Sequence, residues 1–142
     1  MRNVSQILER KGGIVVSIAE DQPVLDAVRL MAEHHIGAVV VLRGTDLVGI
    51  ASERDYARKV ALQGRSSSDT PVATIMSSPV VCVGPMESVA DCMAIMTERH
   101  IRHLPVLDGG RMIGVVSIGD LVKEVIEDQK QEISYLQAYI AS

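Results

Sequence analysis

The sequence predicts an α/β (α+β) fold: two βαββα units packed with pseudo-two-fold symmetry and followed by a long C-terminal helix. Three observations carry this. The chain superposes on itself at a constant offset of 65 positions, without a gap from Val15/Val80 to Val60/Val125. Identical pairs along the match include Asp26/Asp91, Met31/Met96, His35/His100, Gly49/Gly114, Ser52/Ser117 and Asp55/Asp120. A unit of this length occurring only twice points to a closed two-lobed domain rather than an extended array. Second, the 142 residues include no Phe or Trp and only three Tyr, so the core must be Val, Ile, Leu, Met and Ala. Such residues suit layered sheet and helix better than an aromatic cage. Third, each unit alternates short β-branched runs with apolar residues at helical spacing.

Within each unit, Ile14 to Ile18 or Val80 to Val83 reads as a strand. Pro23 or Ser88 then opens a helix whose stripe is Val24, Val28 and Met31, or Val89, Met93 and Met96, ending near His35 or His100. Two strands follow, Ala38 to Leu42 and Leu47 to Ala51, matched by His103 to Leu107 and Met112 to Val116. The intervening turns contain Gly44 and Gly109, which supply the positive φ that hairpins require. Ser52 or Ser117 stands where an N-cap belongs, before a second helix from about Glu53 to Leu62 and from about Ile118 onward.

Short helical turns precede both units, because Val4, Ile7 and Leu8 match Val72, Ile75 and Met76 at an offset of 68. The resulting division is residues 1–62 for the first repeat with its lead-in, 63–71 for a polar linker containing Ser66-Ser67-Ser68, 72–128 for the second repeat, and 129–142 for a helical extension. Along that extension Val122, Val125, Ile126, Gln129, Ile133, Leu136 and Ile140 hold near-heptad positions. The stripe either folds back on its own core or forms a self-association surface, the latter closing a two-fold homodimer.

Composition narrows the function classes. The formal charge is −4 and the pI about 5.5, so no general attraction to nucleic acid or an anionic membrane is expected. Base-stacking residues are nearly absent. No apolar run approaches membrane-spanning length and no signal-peptide core is read at the N-terminus, which leads to the expectation of a cytoplasmic protein. Cys82 and Cys92 have Ser17 and Ala27 as repeat partners and read as small core residues of a reducing compartment.

The sharpest motif is Gly49-Ile50-Ala51-Ser52-Glu53-Arg54-Asp55 matched to Gly114-Val115-Val116-Ser117-Ile118-Gly119-Asp120. At a strand-to-helix junction the hydroxyl lies at the helix N-terminus, where backbone N–H groups and the dipole favour an anion such as phosphate. An aspartate one turn on can accept two hydrogen bonds from a ribose diol, since an ionised carboxylate offers only acceptors. For a single copy simple helix capping is the stronger reading; two copies in register move the balance toward a site, although divergence from one ancestor repeats a cap as easily.

Both βαββα units, the hydrophobic-Gly-x-x-Ser-x-x-Asp segments and Ile101-Arg102-His103-Leu104-Pro105-Val106 together resemble the tandem CBS pair, the Bateman module. With the tail Leu136-Gln137-Ala138-Tyr139-Ile140 they look like stand-alone CBS-pair proteins of bacteria and plant organelles. The resemblance implies an adenosine ligand (AMP, ADP, ATP, NAD(H) or an S-adenosyl compound) in the cleft between repeats. It implies that Asp55 and Asp120 hold ribose hydroxyls, that Ser52 and Ser117 lie near ribose or phosphate, and that backbone near Val15, Val80 and the second strands reads the adenine edge. Arg54, Arg102, His103 and Pro105 complete the implied ligand-binding set. Likeness to the plant-organelle proteins also suggests a redox partner such as a thioredoxin.

The repeat is not symmetric where phosphate would lie. Arg102 and His103 replace Gly37 and Ala38, whereas Arg54 has Gly119 as its counterpart. Either arginine can bind phosphate bidentately or stand as a solvated charge. Unequal sites are therefore expected. No Cys/His spacing links His34, His35, His100 and His103, so no metal is predicted; His35 and His100 fit a helix C-terminus, where the dipole favours an imidazolium.

Three functions compete. The leading expectation is an adenine-nucleotide-sensing regulatory module that signals to a partner protein through a conformational or dimer change. A constitutive dimeric scaffold with degenerate sites is the alternative. A nucleotide-processing enzyme is the weakest, because no Ser-His-Asp order, P-loop or metal-binding carboxylate cluster is present.

Overall fold

The lead-in segments, not the repeats, decide how the chain is divided in space. The structure, a computed structural model, describes residues 2–141. One compact unit comprises Val15–Val81; the other joins the residues up to Ile14 to those from Cys82 onward. The first unit thus contains the lead-in that precedes the second repeat, and the second unit contains the lead-in that precedes the first. Repeat in sequence and unit in space are different divisions of the chain: the bounds 1–62 and 72–128 follow the repeat, while α1 (Val4–Lys11) packs with the second repeat's elements.

Backbone hydrogen bonds show how each lead-in is held. In the second unit Val4 N–H donates to the Glu87 carbonyl at 3.0 Å, Ser5 N–H to Pro85 at 2.8 Å, and Val89 N–H to Arg2 at 3.0 Å. In the first unit Val72, Ala73 and Val24 N–H donate in the same pattern to Gln22, Glu20 and Thr70 at 2.9, 3.0 and 2.8 Å. The same three bonds are made twice, so donors that a surface loop would leave to water are satisfied within each unit.

The first unit contains β1 (Ser17–Ala19), α2 (Val24–His34), β2 (Ala38–Arg43), β3 (Asp46–Ser52) and α3 (Glu53–Tyr56). β1 runs parallel to β2 and β2 antiparallel to β3. Ser77 of the lead-in bridges to Ile50 on β3 through reciprocal bonds of 2.8 and 3.1 Å. The helix expected from Glu53 to Leu62 is α-helical only to Tyr56 and continues as a π-helical turn over Ala57–Ala61. Val24, Ala27 and Met31 of α2 meet Val39, Val41 and Ala51 of the sheet and Val72 and Ile75 of the lead-in in one buried cluster.

The second unit contains α1, α4 (Val89–Arg99), β4 (His103–Asp108), β5 (Arg111–Ser117) and α5 (Ile118–Ala141). Here the strand expected at Val80 to Val83 shrinks to a single parallel bridge, Val83 to Val106. The reason lies in two prolines. In the first unit Val40 N–H donates to Val16 and Glu20 N–H to Leu42, flanking the central pairing. Their repeat counterparts are Pro105 and Pro85, which have no N–H to give. Only Val83 N–H to Pro105 at 3.0 Å and Leu107 N–H to Val83 at 2.9 Å remain. The first-repeat strand is also displaced, from the expected Ile14 to Ile18 to Ser17–Ala19.

Both hairpins carry a bulge at the same place, where the register shifts between Val41 and Leu42 and between Val106 and Leu107. Beside each bulge a glycine makes room for a lead-in. A Cβ on Gly114 would lie 2.6 Å from Leu8 Cδ2, and one on Gly49 would run into the Met76 side chain. The helix ends also repeat: His35 and His100 both adopt left-handed conformations, φ 53° and 55°, closing α2 and α4 through N–H bonds to Met31 and Met96. Both imidazoles are exposed.

α5 is about 36 Å long at 1.5 Å per residue. Its first turns pack on the unit, with Leu121 and Glu124 buried, and every described residue from Ile126 onward is exposed. No helix among the described residues is long and apolar enough to cross a membrane.

Candidate functional site

Each unit builds its Ser–Asp pair in the same way. In the first, Ser52 ends β3 and caps α3: its Oγ accepts from Asp55 N–H at 3.1 Å, while Asp55 Oδ2 accepts from Ser52 N–H and Ser52 Oγ, each at 3.0 Å. In the second, Ser117 Oγ accepts from Asp120 N–H at 3.2 Å and Asp120 Oδ2 accepts from Ser117 N–H at 2.8 Å. These are reciprocal capping boxes, with aspartate in the place usually taken by Glu or Gln. The backbone beside each pair completes the helix start, since Glu53 N–H donates to Gly37 at 3.0 Å and Ile118 N–H to Arg102 at 2.9 Å. Capping and a carboxylate held at a helix entrance are one geometry here, and neither excludes the other.

The cations that balance the two aspartates come from different places. Lys59, one helical turn beyond Asp55, lies 3.2 Å from its Oδ1 and donates to the Ile75 carbonyl at 2.9 Å. The counterpart of Lys59 is Glu124, which is buried and meets Arg10 at 2.9 Å and Arg2 at 3.3 Å. Asp120 instead takes Lys11, from the last turn of α1, at 2.7 Å; the same ammonium donates to the Val115 carbonyl at 2.9 Å. Lys59 was legible as an i,i+4 partner of Asp55. Lys11 was not, because 109 residues separate it from Asp120.

His103 joins the second of these groups. It starts β4 opposite Ser117, and its pKa is pushed below 6.5, first by burial and then by Lys11 and Arg102, against an opposing pull from Asp120. The ring is therefore neutral at pH 7. Burial alone would raise the pKa of Asp120, but hydrogen bonds from Lys11 and Ser117 outweigh it and hold the carboxyl below 3.8. Arg102 is exposed, and its carbonyl is committed to α5.

The other expected residues are more dispersed. Arg54 is exposed on α3. Pro105 is buried in β4 and gives its carbonyl to Val83. Val15 and Val80 are half-buried at the two ends of the first unit. The structure thus brings together Ser52 with Asp55, and Ser117, Asp120 and His103 with Lys11. An open groove of about 510 Å³ in the first unit, beside Ser17, Asp26, Arg29 and Glu33, contains none of the expected residues. Burial lifts the Cys92 thiol to about 11, as befits a core residue. Among the described residues no three His, Cys, Asp or Glu side chains approach closely enough to hold a metal ion.

Two copies of the repeat, the second with its first strand reduced to a bridge and each opening its last helix with a Ser–Asp capping box, define a tandem pair of one domain type. The CBS domain profile matches residues 4–62 and 72–127, and the chain belongs to the CBS-domain family. It is 40% identical over 146 residues to the mitochondrial CBS domain-containing protein CBSX3 of Arabidopsis thaliana, covering 96% of this chain and 71% of that one. A putative signal-transduction protein with CBS domains from Burkholderia ambifaria is 53% identical, with a TM-score of 0.86 over 90% of this chain and 96% of that one. The hexameric CBS-CP12 protein of bloom-forming cyanobacteria is 25% identical, with a TM-score of 0.78 over 98% of this chain and 88% of that one.

Proposed function

We propose that this CBS pair is a regulatory module that senses an adenine nucleotide through its two Ser–Asp half-sites and passes the signal to a partner protein. The observation that carries the proposal is the recurrence of a carboxylate fixed at the start of α3 and of α5, each one turn from a serine hydroxyl. Ribose hydroxyls donate to such a carboxylate, and the helix start beside it tolerates phosphate charge. AMP, ATP and NAD(H) share these groups. Ligand binding shifts the protein between conformations only by the difference in its affinity for them. The role read here is regulatory: the Ser52 hydroxyl is spent on capping, donating to Asp55 Oδ2 while its oxygen accepts from Asp55 N–H.

The apolar stripe on α5 supports self-association as part of the output. Val122, Ile126, Ile133, Leu136 and Ile140 are all more than 40% exposed and recur at alternating spacings of three and four when Gln129 is included. The cyanobacterial CBS-CP12 protein is hexameric, which favours an oligomer for this chain as well.

Thermal unfolding with AMP, ADP, ATP, NAD+, NADH and S-adenosylmethionine tests the sensor. A ligand at a hundred times its Kd stabilises the protein by about 2.7 kcal/mol. The expected outcome is stabilisation by at least one nucleotide, reduced in Asp55→Asn and Asp120→Asn. No response to any of the six would leave the constitutive scaffold as the better reading, and turnover of ATP or NAD+ lost in Asp120→Asn would replace sensing by catalysis.

A further inference from the structure

We propose that Lys11 makes the half-site of the second unit selective for an anionic adenosine ligand, favouring an adenosine phosphate over adenosine or a cationic S-adenosyl compound. The proposal rests on the reading of Asp120 as a ribose acceptor. An aspartate that receives a ribose also repels the phosphate attached to it. Lys11 cancels that charge locally, because its ammonium lies 2.7 Å from Asp120 Oδ2.

The pair keeps capacity for a ligand. Lys11 and the Ser117 N–H both donate to Oδ2 of Asp120, so acceptor capacity remains at Oδ1 for a ribose hydroxyl while Lys11 stays on Oδ2. The ammonium has three N–H groups and spends two, on Asp120 and on the Val115 carbonyl, leaving one for an anion. Its side chain is 38% exposed, against 20% for Asp120, so the cation is the more accessible member.

The backbone holds Lys11 in place. Gly12, at φ 87°, ends α1 with its N–H on the Leu8 carbonyl at 2.8 Å. Gly13 then passes so close to β5 that a Cβ would lie 2.6 Å from the Ile113 carbonyl oxygen. One residue earlier, Arg10 is tied to Glu124 at 2.9 Å. His103 does not substitute for Lys11, because its ring is neutral at pH 7. At the lead-in offset the counterpart of Lys11 is Pro79, and the cation on Asp55 is instead Lys59, from its own repeat, at 3.2 Å. A lysine supplied by the lead-in is therefore peculiar to the half-site of the second unit.

Calorimetric titration of the full chain with AMP and with adenosine, at fixed ionic strength, decides the matter for the wild type, Lys11→Met, Lys11→Gln and Lys11→Arg. The wild type is expected to prefer AMP over adenosine by about tenfold or more. Lys11→Met and Lys11→Gln should lose about tenfold in AMP affinity while keeping adenosine within about twofold, and Lys11→Arg should recover most of the loss. An unchanged AMP-to-adenosine ratio in the two neutral variants, or equal loss of both ligands, overturns the role of Lys11 and leaves the nucleotide site standing. A wild type that binds neither ligand overturns the site itself. Should Lys11→Met fail to show cooperative unfolding, Lys11→Gln, which retains a hydrogen-bond donor, gives the same decision.

Discussion

His103 couples burial at the start of β4 to the state of its proton. Its folded pKa is depressed, so the folded protein prefers the neutral ring and the unfolded chain binds more protons below 6.5. Stability then rises with pH in that window: the contribution of neutral His103 is complete above 6.5 and is lost as pH falls through the folded value. Asp120 acts with the same sign but lower, since its depressed pKa stabilises the fold above 3.8 and the benefit goes only as pH drops through its folded value. Urea midpoints measured from pH 7 to pH 5 should therefore decline in the wild type and decline less in His103→Gln. Parallel slopes in the two proteins would show that the ring is not held neutral. Arg102 and Arg54, both exposed, are mismatches that the repeat marks plainly, but what separates the two half-sites most is the origin of the cation beside each aspartate.

At the scale of elements, the hairpins and lead-ins depend on close backbone approach. Gly13→Ala places a Cβ 2.6 Å from a backbone oxygen that cannot turn aside, whereas Gly114→Ala meets the end of the Leu8 side chain, which can change rotamer. We expect Gly13→Ala to destabilise by about 1–3 kcal/mol and Gly114→Ala by less, as measured by denaturant unfolding. A larger loss at Gly114 would mean that Leu8 is as rigid as the strand. The hairpins, the two long helices of the repeats and their caps were all legible, because β-branched runs, Gly turns and Ser or Pro starts are local signals. Two departures were written in the sequence but needed the register to be read: the lost strand beside Pro85 and Pro105, and the glycines of the Gly-x-x-Ser-x-x-Asp motif, which serve lead-in packing before any ligand. The π-helical turn over Ala57–Ala61 has no local sequence signal that we recognise.

At the scale of the molecule, α5 extends well past the turns that pack on its unit. Gln131 accepts from Arg2 at 2.9 Å, while Ile133 and Leu136 stay more than half exposed. Proposed self-association predicts that sedimentation velocity finds an oligomer for the wild type and a smaller species for Ile133→Asp/Leu136→Asp, with the unfolding midpoint of the units little changed. Identical sedimentation of the two would exclude α5 from the interface. Sequence by itself determined that one βαββα unit occurs twice, that each copy caps a helix with Ser and Asp, and that the copies differ at Gly37/Arg102, Ala38/His103 and Arg54/Gly119. Those features repeat at a fixed spacing, so a comparison of the chain with itself exposes them. Tertiary structure alone decided which lead-in completes which unit, and with it the pairing of Lys11 to Asp120 and of Arg2 and Arg10 to Glu124. The physical reason is sequence distance: an ion pair across more than a hundred residues leaves no periodicity, and only the packing of α1 against β5 and α5 brings its two charges together.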